Sequence, residues 1–273
     1  MDLPGIQELA RPLTRDALPP VGAGSAWLAG GTWLFSEPQP GLRALVDLAG
    51  LGWAALEPSA SGLRIGATCT IAALETFAAT PGCPPDWLAA PLFRACSRAL
   101  LGSFKIWAVA TVGGNVCLSL PAAPMLALTV ALDGVAQVWR PDGTERQVPM
   151  AGFTTGPQRT VLQPGELLRA IHLPAAALRR RGAARQASLT AHGRSAVLLV
   201  ATAGADGFAL TVTASTVRPV HAAWPQPPSR AGLDAHLAAL PDDVWFNDVH
   251  GAPVWRRHMT RRLAAELHEE VLG

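Results

Sequence analysis

Two glycine pairs carry the clearest chemical signal in the chain. Ala29, Gly30, Gly31, Thr32 and Trp33 form one, and Thr111, Val112, Gly113, Gly114 and Asn115 the other, each directly after an apolar run. A Gly-Gly step offers backbone amides with no Cβ in the way, so a diphosphate can approach and be held by N–H groups instead of cationic side chains. Two such turns, each followed by a segment able to start a helix, suggest a cradle gripping one extended dinucleotide from two sides. Competing nucleotide signatures fail. Gly22-Ala23-Gly24 opens a G-x-G pattern, but Trp27 stands at the third glycine position, no strand precedes it and no helix with a ribose-binding acid follows. There is no P-loop and no G-x-S-x-G nucleophile elbow. Lys105, the sole lysine, lies one turn before the second glycine pair, a poor position for a Schiff base.

Metal chemistry finds no support. Cys69, Cys83, Cys96 and Cys117 are scattered singly, without C-x-x-C or a nearby histidine at ligand spacing, and read as buried free thiols. No H-E-x-x-H pair occurs, since His268 is followed by Glu269 and Glu270 but no second histidine. No acid–base or nucleophilic constellation emerges either, so no catalytic residue is assigned.

The elements that must position the glycine turns follow from length and periodicity. A chain of 273 residues lies where one core usually divides into two. An apolar share of 49% against 15% charged residues describes a globular protein with a generous core. A formal charge of +2 is too weak and too evenly spread to argue for nucleic acid or an anionic membrane. No run approaches eighteen uninterrupted apolar residues and the N-terminus lacks a secretory pattern, so a cytoplasmic protein is expected. Strands are predicted over residues 26–28, 44–48 and 63–67, then helices over 70–77, 84–101 and 122–132. A hairpin around Pro141-Asp142-Gly143 and a strand over 167–173 follow. The Ala- and Arg-rich stretch 175–184, with Arg179, Arg180 and Arg181 as solvated charges, marks a domain boundary. Beyond it, residues 195–203 and 208–215 flank an Asp206-Gly207 turn, joined by 185–189 in an antiparallel meander. Trp255, Met259, Leu263, Leu267 and Val271 then give one apolar face of a terminal helix.

Read as whole motifs, several segments resemble the FAD-binding (medium) subunit of the molybdenum hydroxylases, the xanthine dehydrogenase and carbon monoxide dehydrogenase group. They are AGGTW at 29–33, LRIGATCTIAALE at 63–75, LGSFKIWAVATVGGNVCLSLPAAP at 101–124, TVLQPGELLRAIHLP at 160–174 and DVHGAPVWRRHMTRRLAAEL at 248–267. The similarity covers nearly the whole chain. It implies an α+β protein: a two-lobed FAD-binding domain of the vanillyl-alcohol-oxidase or PCMH type over 1–174, with lobes of about 1–55 and 56–174. A smaller C-terminal domain with a three-stranded antiparallel sheet and helices would fill 175–273. By the same resemblance the FAD pyrophosphate is held by the first turn, Ala29, Gly30, Gly31, Thr32 and Trp33. Thr111, Gly113, Gly114 and Asn115 add amides and polar side chains, and Leu162 and Arg185 match positions near the isoalloxazine ring.

The resemblance further implies a heterotrimer, and with it a dimer of heterotrimers. A large molybdopterin-binding subunit hydroxylates the substrate, a small subunit carries two [2Fe–2S] clusters, and this chain passes the electrons through FAD to an external acceptor. Some neighbours depart from the family pattern. Trp33 replaces a small polar residue, Trp107-Ala108 an Arg-Asn pair, and Leu120 to Pro124 lacks a hydroxyl and a carboxylate of the family segment. Trp33 and Trp107 are candidate aromatic neighbours of the cofactor or, alternatively, core between the lobes. The departures motivate a second reading, a scaffold that keeps the fold and docks partners without stable FAD. A stand-alone flavin oxidase is a third, weakened by the absence of an attachment motif or substrate domain.

Overall fold

The computed structural model describes residues 3–273. Three short strands open the chain: β1 (Glu8–Ala10), β2 (Ser25–Leu28) and β3 (Ala44–Asp47) form a parallel sheet in the order β1-β3-β2. The first glycine turn leaves the C-terminal end of β2. β4 (Leu56–Ser59) and β5 (Gly62–Gly66) begin a second, antiparallel sheet. Four helices then lead to the second glycine turn and its continuation: α1 (Ile71–Phe77), α2 (Pro91–Arg98), α3 (Phe104–Val109) and α4 (Val112–Leu118). α5 (Pro124–Ala131) is buried at every position, as an apolar run without amphipathic period requires.

The second sheet is completed by the hairpin β6 (Val135–Trp139) and β7 (Glu145–Pro149). After the small pair β8 (Thr154–Gly156) and β9 (Arg159–Thr160) comes its central strand, β10 (Leu167–Pro174), giving the order β4-β5-β10-β6-β7. A short helix, α6 (Ala175–Leu178), leads into the third sheet: β11 (Arg181–Ala187), β12 (Val197–Gly204), β13 (Gly207–Thr213) and β14 (Val220–Trp224), all antiparallel and in chain order. α7 (Arg230–Ala238) and α8 (Pro253–Leu272) close the fold.

β12 is buried on both faces and alternates between two cores. Leu198 and Val200 join the core built on α1, α2, α5 and the five-stranded sheet, whereas Val197, Leu199 and Ala201 pack with Leu263, Ala264 and Leu267 of α8. The period of two in a strand requires this split. Behind it, Arg256 of α8 is 1% exposed. Its Nε donates to Gly251 O at 2.8 Å, its Nη1 to Ala196 O at 2.8 Å and to Ala214 O, and its Nη2 to Asp248 Oδ1. A guanidinium is tolerated there because its donors meet fixed acceptors.

Several expectations from sequence need correction. The C-terminal sheet has four strands, not three. Its edge strand β14 is only partly buried and ends at Trp224, just before Pro225, so neither strict alternation nor a clean apolar run announced it. The helix expected over 84–101 is confined to Pro91–Arg98. Pro84 and Pro85 remove donors, and the amide of Ala89 is drawn away to Leu178 O at 3.0 Å. The helix expected over 122–132 likewise starts at Pro124, whose missing N–H costs nothing at the first helical position. The stretch 175–184 is no loose linker, because α6 and β11 occupy most of it and Arg180 pairs with both Asp133 and Asp206. Arg256→Leu should destabilise the protein by more than about 3 kcal/mol, since the buried carbonyls it serves lose their donor. Urea unfolding of variant and wild type measures this, and a change under 1 kcal/mol, roughly that of an average substitution, would contradict it.

Candidate functional site

The two glycine turns do different jobs. In the first, Gly31 has φ +69° and the chain then winds once, with Phe35 N–H donating to Gly31 O at 2.9 Å and Ser36 N–H to Trp33 O at 3.0 Å. A Cβ on Gly31 would lie 2.7 Å from the Phe35 ring, so the position is closed to side chains by both torsion and space. The amides of Gly30, Gly31, Thr32, Trp33 and Leu34 donate to no backbone acceptor among the described residues outside regular helices and strands. A run of successive free N–H groups around a left-handed residue is the geometry of an anion-binding nest.

Four of the five amides of the second turn are already used. Val112 N–H donates to Cys69 O at 2.8 Å, Gly113 N–H to Ala67 O at 2.9 Å and Asn115 N–H to Thr111 O at 3.0 Å. Gly114 N–H donates to Thr111 Oγ1 at 3.0 Å, an N-cap on α4. Gly113 is glycine because the chain presses on β5's exit, where a Cβ would sit 2.6 Å from Ala67 O. The amides of Gly113 and Gly114 are thus engaged within the protein, Thr111 caps α4 through its side chain, and Asn115 presents its side chain. Asn115 Oδ1 accepts from Met125 N at 3.1 Å, which fixes the amide orientation and leaves its Nδ2 donors free. With Pro124 lacking an N–H, Asn115 serves the next donor along at the start of α5.

The turns adjoin. A Cβ on Gly30 would be 2.0 Å from Val109 O, at the end of α3 and two residues before Thr111. Trp107, also on α3, donates from Nε1 to Leu100 O at 3.1 Å and packs against the main core, so it fastens α3 to the loop before it. Trp33 is half-buried within the first turn. Leu162 also packs on the main core, in a loop tied down by Glu166. Glu166 accepts from Arg146 Nη2 at 2.6 Å and from Gln163 N at 2.8 Å, and Arg146 also donates to Val161 O at 2.9 Å. The Arg146 hydrogen bond holds the Glu166 carboxyl below the usual range, against the opposing effect of burial.

Arg185 is not brought to the turns. Residues of β11 alternate, Ala184 facing the main core while Ala183 and Ala187 face α8, and Arg185 pairs with Glu270 of α8 at 2.6 Å. A different arginine, Arg194, lines a pocket together with Asn115. Beside Asn115 lies a pocket of about 320 Å³ walled by Leu100, Leu101 and Leu120 and bordered by Arg194 and His250. Neither polar residue stands in a recognisable motif. Arg194 lies in the β11–β12 connection and His250 just before α8, so only tertiary structure joins them to Asn115. Of the cysteines, Cys69 and Cys96 are buried and desolvation pushes both thiols up to about 12. Among the described residues no group of three or more His, Cys, Asp or Glu is arranged to hold a metal ion, and no helix is long and apolar enough to cross a membrane.

Comparison with known proteins decides the family. Residues 7–176, more than half of the chain, match the model of the FAD binding domain in molybdopterin dehydrogenase. The chain belongs to that family. The molybdopterin dehydrogenase FAD domain is an oxidoreductase component, and both the resemblance and the FAD expectation are borne out. A stretch of 84 residues is 36% identical to the putative xanthine dehydrogenase FAD-binding subunit of Escherichia coli (strain K12), covering 31% of this chain and 28% of that relative. Carbon monoxide dehydrogenase from Oligotropha carboxidovorans shares the fold at TM-score 0.80 and 22% identity, over 97% of this chain and 96% of the other. Quinoline 2-oxidoreductase from Pseudomonas putida 86 does so at TM-score 0.77 and 18% identity, over 99% and 98%. The fold shared with these structures thus includes the C-terminal sheet and helices.

Two expectations test this geometry. Gly30→Ala should cost about 2 kcal/mol or more, because the added carbon meets backbone that cannot swing aside. Gly114→Ala should be nearly neutral: it disturbs a cap worth about 1 kcal/mol but gains about as much helix propensity. Equal effects in denaturant titrations would contradict the assignment. For Glu166 the folded pKa lies below the unfolded one, so its stabilisation is complete above the unfolded value and is lost as pH falls through the folded value. Glu166→Gln should therefore lower the melting temperature at pH 7 clearly more than at pH 3, as calorimetry at the two pH values would show.

Proposed function

We propose that this chain is the FAD-carrying electron-transfer subunit of a heteromeric molybdenum hydroxylase. The observation that carries the reading is the run of unused amides from Gly30 to Leu34, braced against α3 and lying one residue pair away from the second turn. The residues fit the group: the successive main-chain amides from Gly30 to Leu34 have no backbone acceptor among the described residues, and a run of free N–H groups around the left-handed Gly31 suits a diphosphate. Bound there, FAD supplies a centre able to take electrons singly and pass them on in pairs. The first turn binds the diphosphate through main-chain N–H groups. Asn115 orients the cofactor with its free amide while its carbonyl stays locked to α5. Thr111, Gly113 and Gly114 hold that side chain in register, and the Glu166–Arg146 pair keeps Leu162 against the core.

The wider reading is supported by the company the fold keeps. The neighbours are named as carbon monoxide dehydrogenases and a quinoline oxidoreductase, one of them described as lacking the Mo-pyranopterin moiety of its molybdenum cofactor. We infer large molybdopterin-binding and small [2Fe–2S] partner subunits in a cytoplasmic complex, assembled as a dimer of heterotrimers. Phe104 and Val109, apolar residues exposed on α3 next to the glycine turns, support an assembled protein. A division into an FAD-binding domain over 1–174 and a C-terminal domain over 175–273 is supported by the extent of the family match. Lobes of about 1–55 and 56–174 agree with the separate parallel and antiparallel sheets.

The test is direct. Denaturing the purified full chain should release FAD, seen by absorbance and chromatography of the supernatant. Gly31→Ala should weaken FAD binding at least tenfold in a flavin fluorescence titration, because the nest cannot keep its shape with a Cβ against Phe35. A wild-type chain that takes up no flavin even after incubation with FAD would overturn the reading in favour of the docking scaffold.

A further inference from the structure

One cation near the site has nothing to pair with. Arg194 is half-buried and lines both the pocket of about 320 Å³ beside Asn115 and a smaller one of about 170 Å³ behind Leu120. It makes no ion pair within 4.0 Å and no hydrogen bond among the described residues, although sixteen other ion pairs show that arginines in this chain usually find a carboxylate. The carboxylate lining the smaller pocket, Asp248, is already committed to Arg256 and to the amide of His250. A groove of about 760 Å³ between α7 and α8 is the contrasting case. There Arg230, Arg261 and Arg262 are matched by Glu269, Asp234 and Glu266, leaving no charge to attract a ligand.

The pocket beside Asn115 is lined by apolar side chains, Leu100, Leu101 and Leu120 among them, and by three polar ones, Asn115, Arg194 and His250. Its volume is at the lower end of ligand pockets, which run from about 300 to 1,000 Å³. It suits a ring system, not a whole dinucleotide. A flat apolar ring that also carries hydrogen-bond acceptors suits that combination of lining groups, and the isoalloxazine has such acceptors along its pyrimidine edge. Reduction adds electron density there, so an unpaired guanidinium would bind the reduced ring more tightly than the oxidised one.

We propose that Arg194 is a positioning and potential-setting residue for the flavin: its guanidinium faces the pyrimidine edge of the ring in the pocket beside Asn115 and raises the reduction potential. This rests on the FAD reading above. It assigns a role to the β11–β12 connection that the glycine turns do not require, and it places that role on Arg194 and not on Arg185, whose charge is spent on Glu270.

The full chain loaded with FAD tests this by spectroelectrochemical titration. Arg194→Gln should lower the preference for reduced over oxidised FAD at least tenfold, which for a two-electron couple is a fall of about 30 mV in midpoint potential. Arg194→Lys, which keeps the charge, should stay near wild type. Arg185→Gln should leave the potential unchanged. Equal potentials in wild type, Arg194→Gln and Arg194→Lys, with FAD retained, overturn the proposal and leave the FAD reading standing. A glutamine variant that no longer retains FAD is compared by titrating the apo-chain with oxidised and reduced FAD. Equal losses of affinity for the two forms overturn the proposal, and a larger loss for the reduced form supports it. A wild-type chain that binds no FAD overturns both.

Discussion

Everything about the site depends on one contact between main chains, the approach of Gly30 to the carbonyl of Val109. Backbone can come this close to backbone only where no Cβ intervenes, and the 2.0 Å that a side-chain carbon would find there leaves no tolerance. The contact docks the loop after a three-stranded parallel sheet onto a helix that belongs with a five-stranded antiparallel one. The Trp27 indole adds a second tie, donating to Glu166 O at 3.0 Å. Arg15 adds a third, bridging to Glu145 at 2.8 Å. One bond reaches the loop just before β10 and the other the first residue of β7, so the N-terminal segment is tied to the second sheet at separate points.

The second turn completes the arrangement by surrendering its amides. Thr111 caps α4, Gly113 bonds to β5's exit, and the platform so made presents Asn115 at a fixed angle. Rigid support of a single side chain is a common solution where a ligand must be oriented, because the entropy of ordering that residue has been met in folding.

Much of this was legible in the sequence, and the reasons it stopped being legible are physical. The glycine pairs announced themselves, since few other needs place two adjacent glycines after an apolar run. Strands β5, β6, β7, β10, β12 and β13 followed from alternation or apolar runs bounded by turn residues. What failed were features set by distant partners. β14 is an edge strand with a mixed face, and the residues before α2 looked helical until a carbonyl from α6 claimed the amide of Ala89. Local pattern could not tell that one glycine turn keeps its N–H groups free while the other spends them, because the acceptors, Cys69 O and Ala67 O, sit far back in the chain. Arg185 and Arg194 are equally plausible by residue type. Strand parity turns the first toward α8, and only the loop's return brings the second beside Asn115.

β12 has a consequence for how the molecule holds together. With Leu198 and Val200 in one core and Val197 and Leu199 in the other, it is a shared wall between two compartments. Opening either compartment strips half the side chains of the same strand, so the free energies of the two are tied and neither half can melt far while the other stays intact. The C-terminal sheet is therefore part of the foundation on which α5, Asn115 and the glycine turns rest. Sequence drift in α8 is filtered by its effect on that common strand.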